Sequence, residues 1–218
     1  MTLTLNALKP LMLSIAILAG LAVQCGQAKA QSGDVAIFAG GCFWCVEADF
    51  EKVRGVGDAV SGFTGGSTGT PSYRNSGDHI EAVRIPFNSG QVSYQQLVSL
   101  FFRSVDVFDA GGQFCDRGRE YTTAIFYAND AQRQAAEAEK ARAERQLGRS
   151  IVTPILPASQ FYPVGAYHQD YYKQSSIVVT RRGPKTKAEA YKFYRNACGR
   201  DQRVREIWGN RAAFAGNS

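Results

Sequence analysis

A short apolar run, Val35-Ala36-Ile37-Phe38-Ala39, breaks off at Gly40-Gly41 and is followed at once by Cys42-Phe43-Trp44-Cys45. The run has the length and composition of a buried strand, and the glycine pair supplies a turn. Beyond it Val46, Phe50 and Val53 recur at helical spacing, with Glu47, Asp49, Glu51 and Lys52 between them and Gly55 as the stop. A strand that turns directly into a helix commits the fold to a sheet with helices packed on it. It also places two cysteines at the junction.

The rest of the chain extends that pattern. Residues 56–63 read as extended, 65–77 as a turn-rich loop, and 80–87 as a strand that Pro86 brings to its end. Ser93 opens a helix to Phe102 with Leu97, Leu100 and Phe101 facing inward. After a glycine-bearing loop over 109–119 comes a strand over 122–127. Asn129 or Asp130 then caps a long helix to Leu147, ended by Gly148. Residues 151–156 read as a strand, and 157–172 as aromatic and irregular with a short helix near Gln169. Strands and helices alternate, with no repeat and no low-complexity linker. The expected class is therefore a single α/β (α+β) domain. A hydrophobic share of 44% supplies a core and argues against disorder.

The two ends of the chain differ from its middle. Lys9 is followed by an uncharged apolar run over 11–23, too short for the roughly 18 apolar residues of a spanning helix, and then by the small-x-small pattern Ala28-Lys29-Ala30. That is the layout of a secretory signal peptide over residues 1–30, cut after Ala30. Gln24 is a poor neighbour for lipid attachment at Cys25. Loss of the leader removes Lys9, Lys29 and Cys25, taking the formal charge from +6 to +4. Four cysteines, Cys42, Cys45, Cys115 and Cys198, remain in an oxidising compartment, periplasmic or secreted. No other segment is apolar enough to insert stably in a membrane. The expected domain spans residues 31–218, with a basic C-terminal extension from about 174. Between Lys173 and Arg211 eleven Lys or Arg face three Asp or Glu. Base-reading motifs are absent, so this charge is read as a solvated helix face and not as a nucleic-acid arm. Val204, Ile207 and Trp208 give the extension one apolar stripe, as for a docked helix.

A cysteine at a helix start, just after a glycine turn, sits where free amides and the helix dipole favour the nucleophilic thiolate. A c-type haem site needs His after the second cysteine, and Val46 stands there. A zinc site needs a second close ligand pair, and Cys115, Cys198, His79 and His168 are scattered. Redox chemistry remains. A thioredoxin-like dithiol is one form of it. Phe43 and Trp44 suit it badly, being bulky where a protein disulfide must approach. They suit a pocket for a methyl or a polarisable sulfur group.

Gly40-Gly41-Cys42-Phe43-Trp44-Cys45-Val46-Glu47 closely resembles the G-C-F-W motif of the A-type peptide methionine sulfoxide reductases. The resemblance continues in order through Gly62-Phe63-Thr64-Gly65-Gly66, Pro71-Ser72-Tyr73-Arg74 and His79-Ile80-Glu81-Ala82-Val83. It goes on through Gln113, Asp116 and Tyr121 to Tyr167-His168-Gln169. It implies a sandwich of helices on a mixed sheet with a ferredoxin-like core. It also implies thiol-dependent reduction of methionine S-sulfoxide, free or protein-bound, with no metal and no organic cofactor. By the same resemblance Cys42 attacks the sulfoxide sulfur, while Phe43 and Trp44 hold the S-methyl group. Glu81 protonates the oxygen, helped by the hydroxyls of Tyr73 and Tyr121, and Asp116 organises the site. The chemistry is coherent, because a sulfoxide oxygen leaves only once protonated and needs an acid of raised pKa.

Attack leaves Cys42 as a sulfenic acid, which a second thiol converts to a disulfide. Cys45 stands where the family often has Gly, and Cys198, in Asn196-Ala197-Cys198-Gly199, fits a C-terminal resolving position. These two rank level as resolving thiols, with Cys115 behind, and two of them can serve in relay. Val164-Gly165-Ala166 replaces the acidic residues usual before Tyr-His-Gln, which alters the substrate rim. A thioredoxin-like dithiol protein is expected as reductant, oxidised proteins or free methionine sulfoxide as substrate, and a monomer as the working unit. Two other readings stay open. One is a periplasmic thiol–disulfide oxidoreductase using the Cys42–Cys45 dithiol. The other is a binding domain with structural disulfides Cys42–Cys45 and Cys115–Cys198.

Overall fold

The computed structural model describes residues 34–216; the leader read over 1–30 lies outside the described residues. Ten strands and five α-helices follow one another as β1 (Asp34–Gly40), α1 (Phe43–Phe50), β2 (Val60–Thr64), β3 (Ile80–Phe87) and α2 (Tyr94–Phe102). They continue as β4 (Gly112–Gln113), β5 (Asp116–Arg117), β6 (Thr123–Tyr127), α3 (Asp130–Leu147), β7 (Ile155–Pro157) and β8 (Tyr162–Pro163). The chain closes with β9 (Ile177–Thr180), β10 (Gly183–Thr186), α4 (Lys187–Ala197) and α5 (Arg200–Trp208).

The main sheet has the order β7-β6-β1-β3-β2-β8. Its four central strands run antiparallel to their neighbours and are threaded β1-α1-β2-β3-α2-β6. Two interleaved β-α-β units of this kind are the ferredoxin-like core that was expected, made into a mixed sheet by parallel β7. Side chains alternate across the sheet as the pleat requires. Ala36, Phe38, Val83, Ile85 and Ile125 face the helices and join Phe43, Val46, Phe50, Leu97 and Phe101 in the larger core. Ala39, Ala82, Ala124 and Phe126 face the other side.

Local signals set the helix ends. The Ser93 hydroxyl accepts the N–H of Gln96, whose side chain accepts the N–H of Ser93 in return, a complete capping box. Asn129 caps α3 by accepting from Gln132, and Gly148 ends it with φ +64°. Three elements depart from expectation. Helix α1 stops at Phe50, short of Val53. The strand expected over 151–156 is reduced to three residues, because side chains satisfy its backbone first. Glu144 accepts from the Ile151 N–H at 2.9 Å and Lys140 donates to the Thr153 carbonyl at 2.7 Å. The helix expected near Gln169 is a single 3-10 turn at Tyr171–Lys173.

The largest departure is the C-terminal extension. It is a hairpin and two helices, with Val204 and Trp208 buried in the main core as their stripe required. Its charge is not simply a solvated face. Lys187, Arg195 and Arg200 are buried. Arg195 lies 3.0 Å from the buried Asp49 of α1 and 2.8 Å from Asp201. Burial of a guanidinium is tolerable only against such partners.

Candidate active site

Cys42 is the residue between β1 and α1. Gly41 turns the chain there with φ +78°, and a Cβ on it would stand 2.5 Å from the Cβ of Gln113. Only glycine fits that position. Gln113 is itself fully buried, bonded to both the N–H and the carbonyl of Asp106. It thus anchors the β4–β5 hairpin against the turn. Phe114, at φ +56°, bends the hairpin tip that carries Cys115.

One cleft of about 350 Å³ is lined by all four cysteines of the described chain, together with Trp44, Tyr73, Phe114, Asp116, Tyr171, Tyr191, Tyr194, Arg195 and Arg200. Cys42 and Cys45 are free thiols one helical turn apart, and Cys115 is joined to Cys198 in a disulfide with Cα atoms 5.2 Å apart. Free thiols at Cys42 and Cys45 do not match the reading of a structural Cys42–Cys45 disulfide. The Cys115–Cys198 pairing is the one named in that same reading.

Glu81 sits behind the cysteine turn, 4% exposed, with one carboxylate oxygen accepting the Phe43 N–H at 2.9 Å. Burial outweighs that hydrogen bond and pushes its pKa up to about 8. Tyr73, Tyr121 and Glu81 meet in a second hollow of about 210 Å³, and Tyr73 is common to both hollows. Burial and the nearby carboxyls hold both phenols protonated. Asp116 is half-buried on the cleft wall and raised by burial.

The thiols divide their roles unequally. A hydrogen bond shared with Cys42 pulls Cys45 down to about 7, aided by the guanidiniums of Arg200 and Arg195 against burial. The same bond, burial and the carboxyls of Glu81 and Asp116 push Cys42 up. The pair titrates as one unit through that bond, with the guanidiniums favouring charge at Cys45 and the carboxyls opposing it at Cys42.

Trp44 lines the cleft, its ring stacked 3.8 Å from Tyr171 and 5.8 Å from His168. Phe43 is 1% exposed and packs behind it against Phe63, Tyr73 and His168. His168 stacks on Tyr73 at 4.0 Å and completes an aromatic wall. His168, Tyr171, Arg195 and Arg200 carry no role in the sequence reading. The aromatic density of 157–172 pointed to the first two. The i, i+4 pair Tyr191 and Arg195, now bonded at 3.0 Å, pointed to one buried face of α4. Glu47, Glu51 and Asp170 form an acidic cluster, but Lys173 already lies 2.9 Å from Glu51 and 2.8 Å from Asp170.

A ferredoxin-like core carrying a reactive dithiol, a neutral carboxylic acid, two phenols and an aromatic wall defines a thiol-dependent reductase of a small polar oxide. The family model described as peptide methionine sulfoxide reductase matches residues 34–211, and the chain belongs to that family. It is 47% identical over 193 residues to peptide methionine sulfoxide reductase MsrA 2 of Rhizobium meliloti, across 88% of this chain and 91% of that one. It is 40% identical to the MsrA of Bacillus licheniformis, across 84% and 97% of the two chains. Among solved structures it is similar to methionine sulfoxide reductase A of Corynebacterium diphtheriae, with a TM-score of 0.58, 25% identity, and 72% and 85% of the chains covered. It is likewise similar to reduced Mxr1 of Saccharomyces cerevisiae, with a TM-score of 0.60, 25% identity, and 64% and 84% covered.

Proposed function

We propose that this protein reduces methionine S-sulfoxide, free or within proteins, to methionine at the expense of its own thiols. The observation that carries the reading is Glu81, a carboxylic acid kept protonated near neutrality directly behind the Cys42 turn. Cys42 passes its proton to the Cys45 thiolate along their shared hydrogen bond as its sulfur attacks the sulfoxide. Glu81, with Tyr73 and Tyr121 beside it, gives its proton to the oxygen. The protonated oxygen passes from the substrate sulfur to the Cys42 sulfur as the new S–S bond breaks, so that methionine departs and Cys42 is left as a sulfenic acid. Cys45, now a thiol one turn away, attacks Cys42, so that a Cys42–Cys45 disulfide forms and water leaves. Exchange with Cys115 and Cys198 in the same cleft then moves the disulfide outward, and Cys115 is exposed to a reductant. The first resolving thiol in this reading is Cys45, with Cys115 and Cys198 as the second pair.

Trp44 and the wall behind it would hold the S-methyl group, with Phe43 setting the wall's position and Asp116 its hydrogen-bonding side. A thioredoxin-like dithiol protein would close the cycle, since each turnover consumes two thiols. Export rests on the apolar run over 11–23 and on Ala28-Lys29-Ala30. Among the described residues no helix is long and apolar enough to cross a membrane. We take the working unit to be a monomer, since one chain supplies every group named.

The test is a single turnover without reductant. One equivalent of methionine S-sulfoxide should yield one methionine and consume two thiols, and Cys42→Ser should yield none. Stoichiometric methionine from Cys42→Ser, or disulfide reduction in a protein substrate with no action on the sulfoxide, would overturn the reading.

A further inference from the structure

The buried cations of the C-terminal extension are not needed to explain sulfoxide chemistry, and one of them has unusual connections. Arg200, the first residue of α5, is 2% exposed. Its guanidinium donates to the Gly40 carbonyl at 3.3 Å and to the Ser104 carbonyl at 3.0 Å. It lies over the Phe114 ring at 4.7 Å and 4.0 Å from Asp49. Gly40 leads into the Cys42 turn, Phe114 precedes Cys115, Asp49 stands on the helix of Cys45, and Cys198 is two residues before Arg200 itself. A single planar fork thus touches every segment that carries a cysteine of the cleft. Asp49 must also serve Arg195. Beside Cys45 the two guanidiniums, each 2% exposed, thus share one fully buried carboxylate, with the second, Asp201, meeting Arg195 at the rim.

We propose that Arg200, seconded by Arg195, is a positioning residue that joins the two dithiols and sets the direction of disulfide transfer between them. It holds Cys42–Cys45 reduced and leaves the oxidation on Cys115–Cys198. This deepens the functional reading above and rests on it. The balance is internal. Cys198, as a thiolate, attacks the Cys42 sulfur of a Cys42–Cys45 disulfide, and Cys45 leaves as the thiolate that the guanidiniums favour. Cys115, as a thiolate, then attacks the Cys198 sulfur and releases Cys42. One disulfide is broken and one is formed. The protons of Cys115 and Cys198 pass to the solvent or to the released pair, and no outside oxidant or reductant enters. A stabilised leaving thiolate speeds such exchange, and a stabilised reduced form makes its own disulfide the stronger oxidant. The direction of the Cys45 shift, towards the thiolate with Arg200 and Arg195 among its causes, agrees.

The experiment needs no sulfoxide, so it fails or succeeds apart from the reductase reading. The fully reduced protein is given one equivalent of diamide, left to equilibrate, trapped by acid and alkylation, and mapped by peptide mass. In the unaltered protein Cys115–Cys198 should exceed Cys42–Cys45 at least tenfold. In Arg200→Met the ratio should fall by about tenfold or more, and the thiolate absorbance at 240 nm should titrate at least about one pH unit higher, the same tenfold expressed as protonation. Arg200→Lys, which keeps the charge, should restore the titration. Should Arg200→Met fail to fold, the ratio in the unaltered protein still decides, as does the titration of Arg200→Lys. A predominance of Cys42–Cys45 in the unaltered protein would overturn the proposal. So would an unmoved ratio and titration in a folded Arg200→Met, or an Arg200→Lys that titrates like Met.

Discussion

Glu81 accepts the Phe43 N–H at 2.9 Å, a contact that favours the carboxylate, yet its burial leaves it an acid up to about pH 8. A group that gives its proton to a departing oxygen contributes about 10²–10⁴-fold to rate. Glu81→Gln keeps the shape and the Phe43 contact, so kcat should fall by that factor while KM changes little. The loss of activity as pH rises through about 8 should vanish with it, and steady-state kinetics across pH 6–9 would show both effects. Gly41 is a backbone requirement of a different kind. Its φ of +78° and the 2.5 Å approach of Gln113 leave no room for a methyl group. Gly41→Ala should cost about 1–3 kcal/mol, read as a lowered midpoint in denaturant. That Cys42, Trp44, Tyr73, Glu81 and Tyr121 line adjoining hollows was legible in the sequence, because each stands in a short motif resembling those of one family. Arg195 and Arg200 were not legible. A count of charges does not say which of them meets Asp49, which is 146 residues from Arg195. Nor did the motif show that carboxyls would stand beside Cys42 and guanidiniums beside Cys45.

The same contrast runs through the elements. Helices α2 and α3 could be bounded from sequence because their caps, Ser93, Asn129 and Gly148, act over three or four residues. The strand over 151–156 could not, because Glu144 and Lys140 reach it from a helix and take the backbone groups that a ladder would use. Helix α4 shows what an appended element does when its apolar stripe is thin. Ala190 and Tyr191 are its only buried apolar residues, and they are joined by Arg195, which meets Asp49, Asp201 and the Tyr191 hydroxyl. Removing one member of a buried pair leaves the other uncompensated, at about 3–5 kcal/mol. Arg195→Ala should therefore destabilise the protein by that amount, measured by urea unfolding. Asp49→Asn combined with Arg195→Met should recover only part of the loss, because Asp49 is no longer left without Arg195 but Arg200 loses its carboxylate. If Arg195→Ala proved neutral, the extension would be held by its apolar contacts alone.

At the scale of the whole molecule, buried glutamates on helix α1 and strand β3 tie stability to pH. Glu47 is fully buried and accepts the Asp170 N–H at 3.1 Å, and burial pushes it up to about 7. Glu81 is pushed up to about 8, also by burial. Both folded values lie above the 4.5 of an unperturbed glutamate, so the folded protein keeps protons that the unfolded chain releases. Their contribution to stability is complete below about 4.5 and is lost as pH rises through about 7 and then about 8. Cys45, held near 7 against an ordinary 9.0, works the other way, and its contribution is lost as pH falls through about 7. Between pH 5 and 7 the carboxyls each cost up to about 1.4 kcal/mol per pH unit, opposed by His168, which burial holds below its usual 6.5. Turnover asks for the reverse compromise, a Cys45 thiolate above about 7 and a Glu81 acid below about 8. The active range is thus the stretch in which carboxyl-linked stability has already been given up. Unfolding free energy from urea titrations should fall steadily from pH 5 to 7, and Glu47→Gln with Glu81→Gln should flatten that slope. A slope left unchanged by the double substitution would mean that both carboxyls are ionised in the folded protein, and Glu81 could not then be the acid.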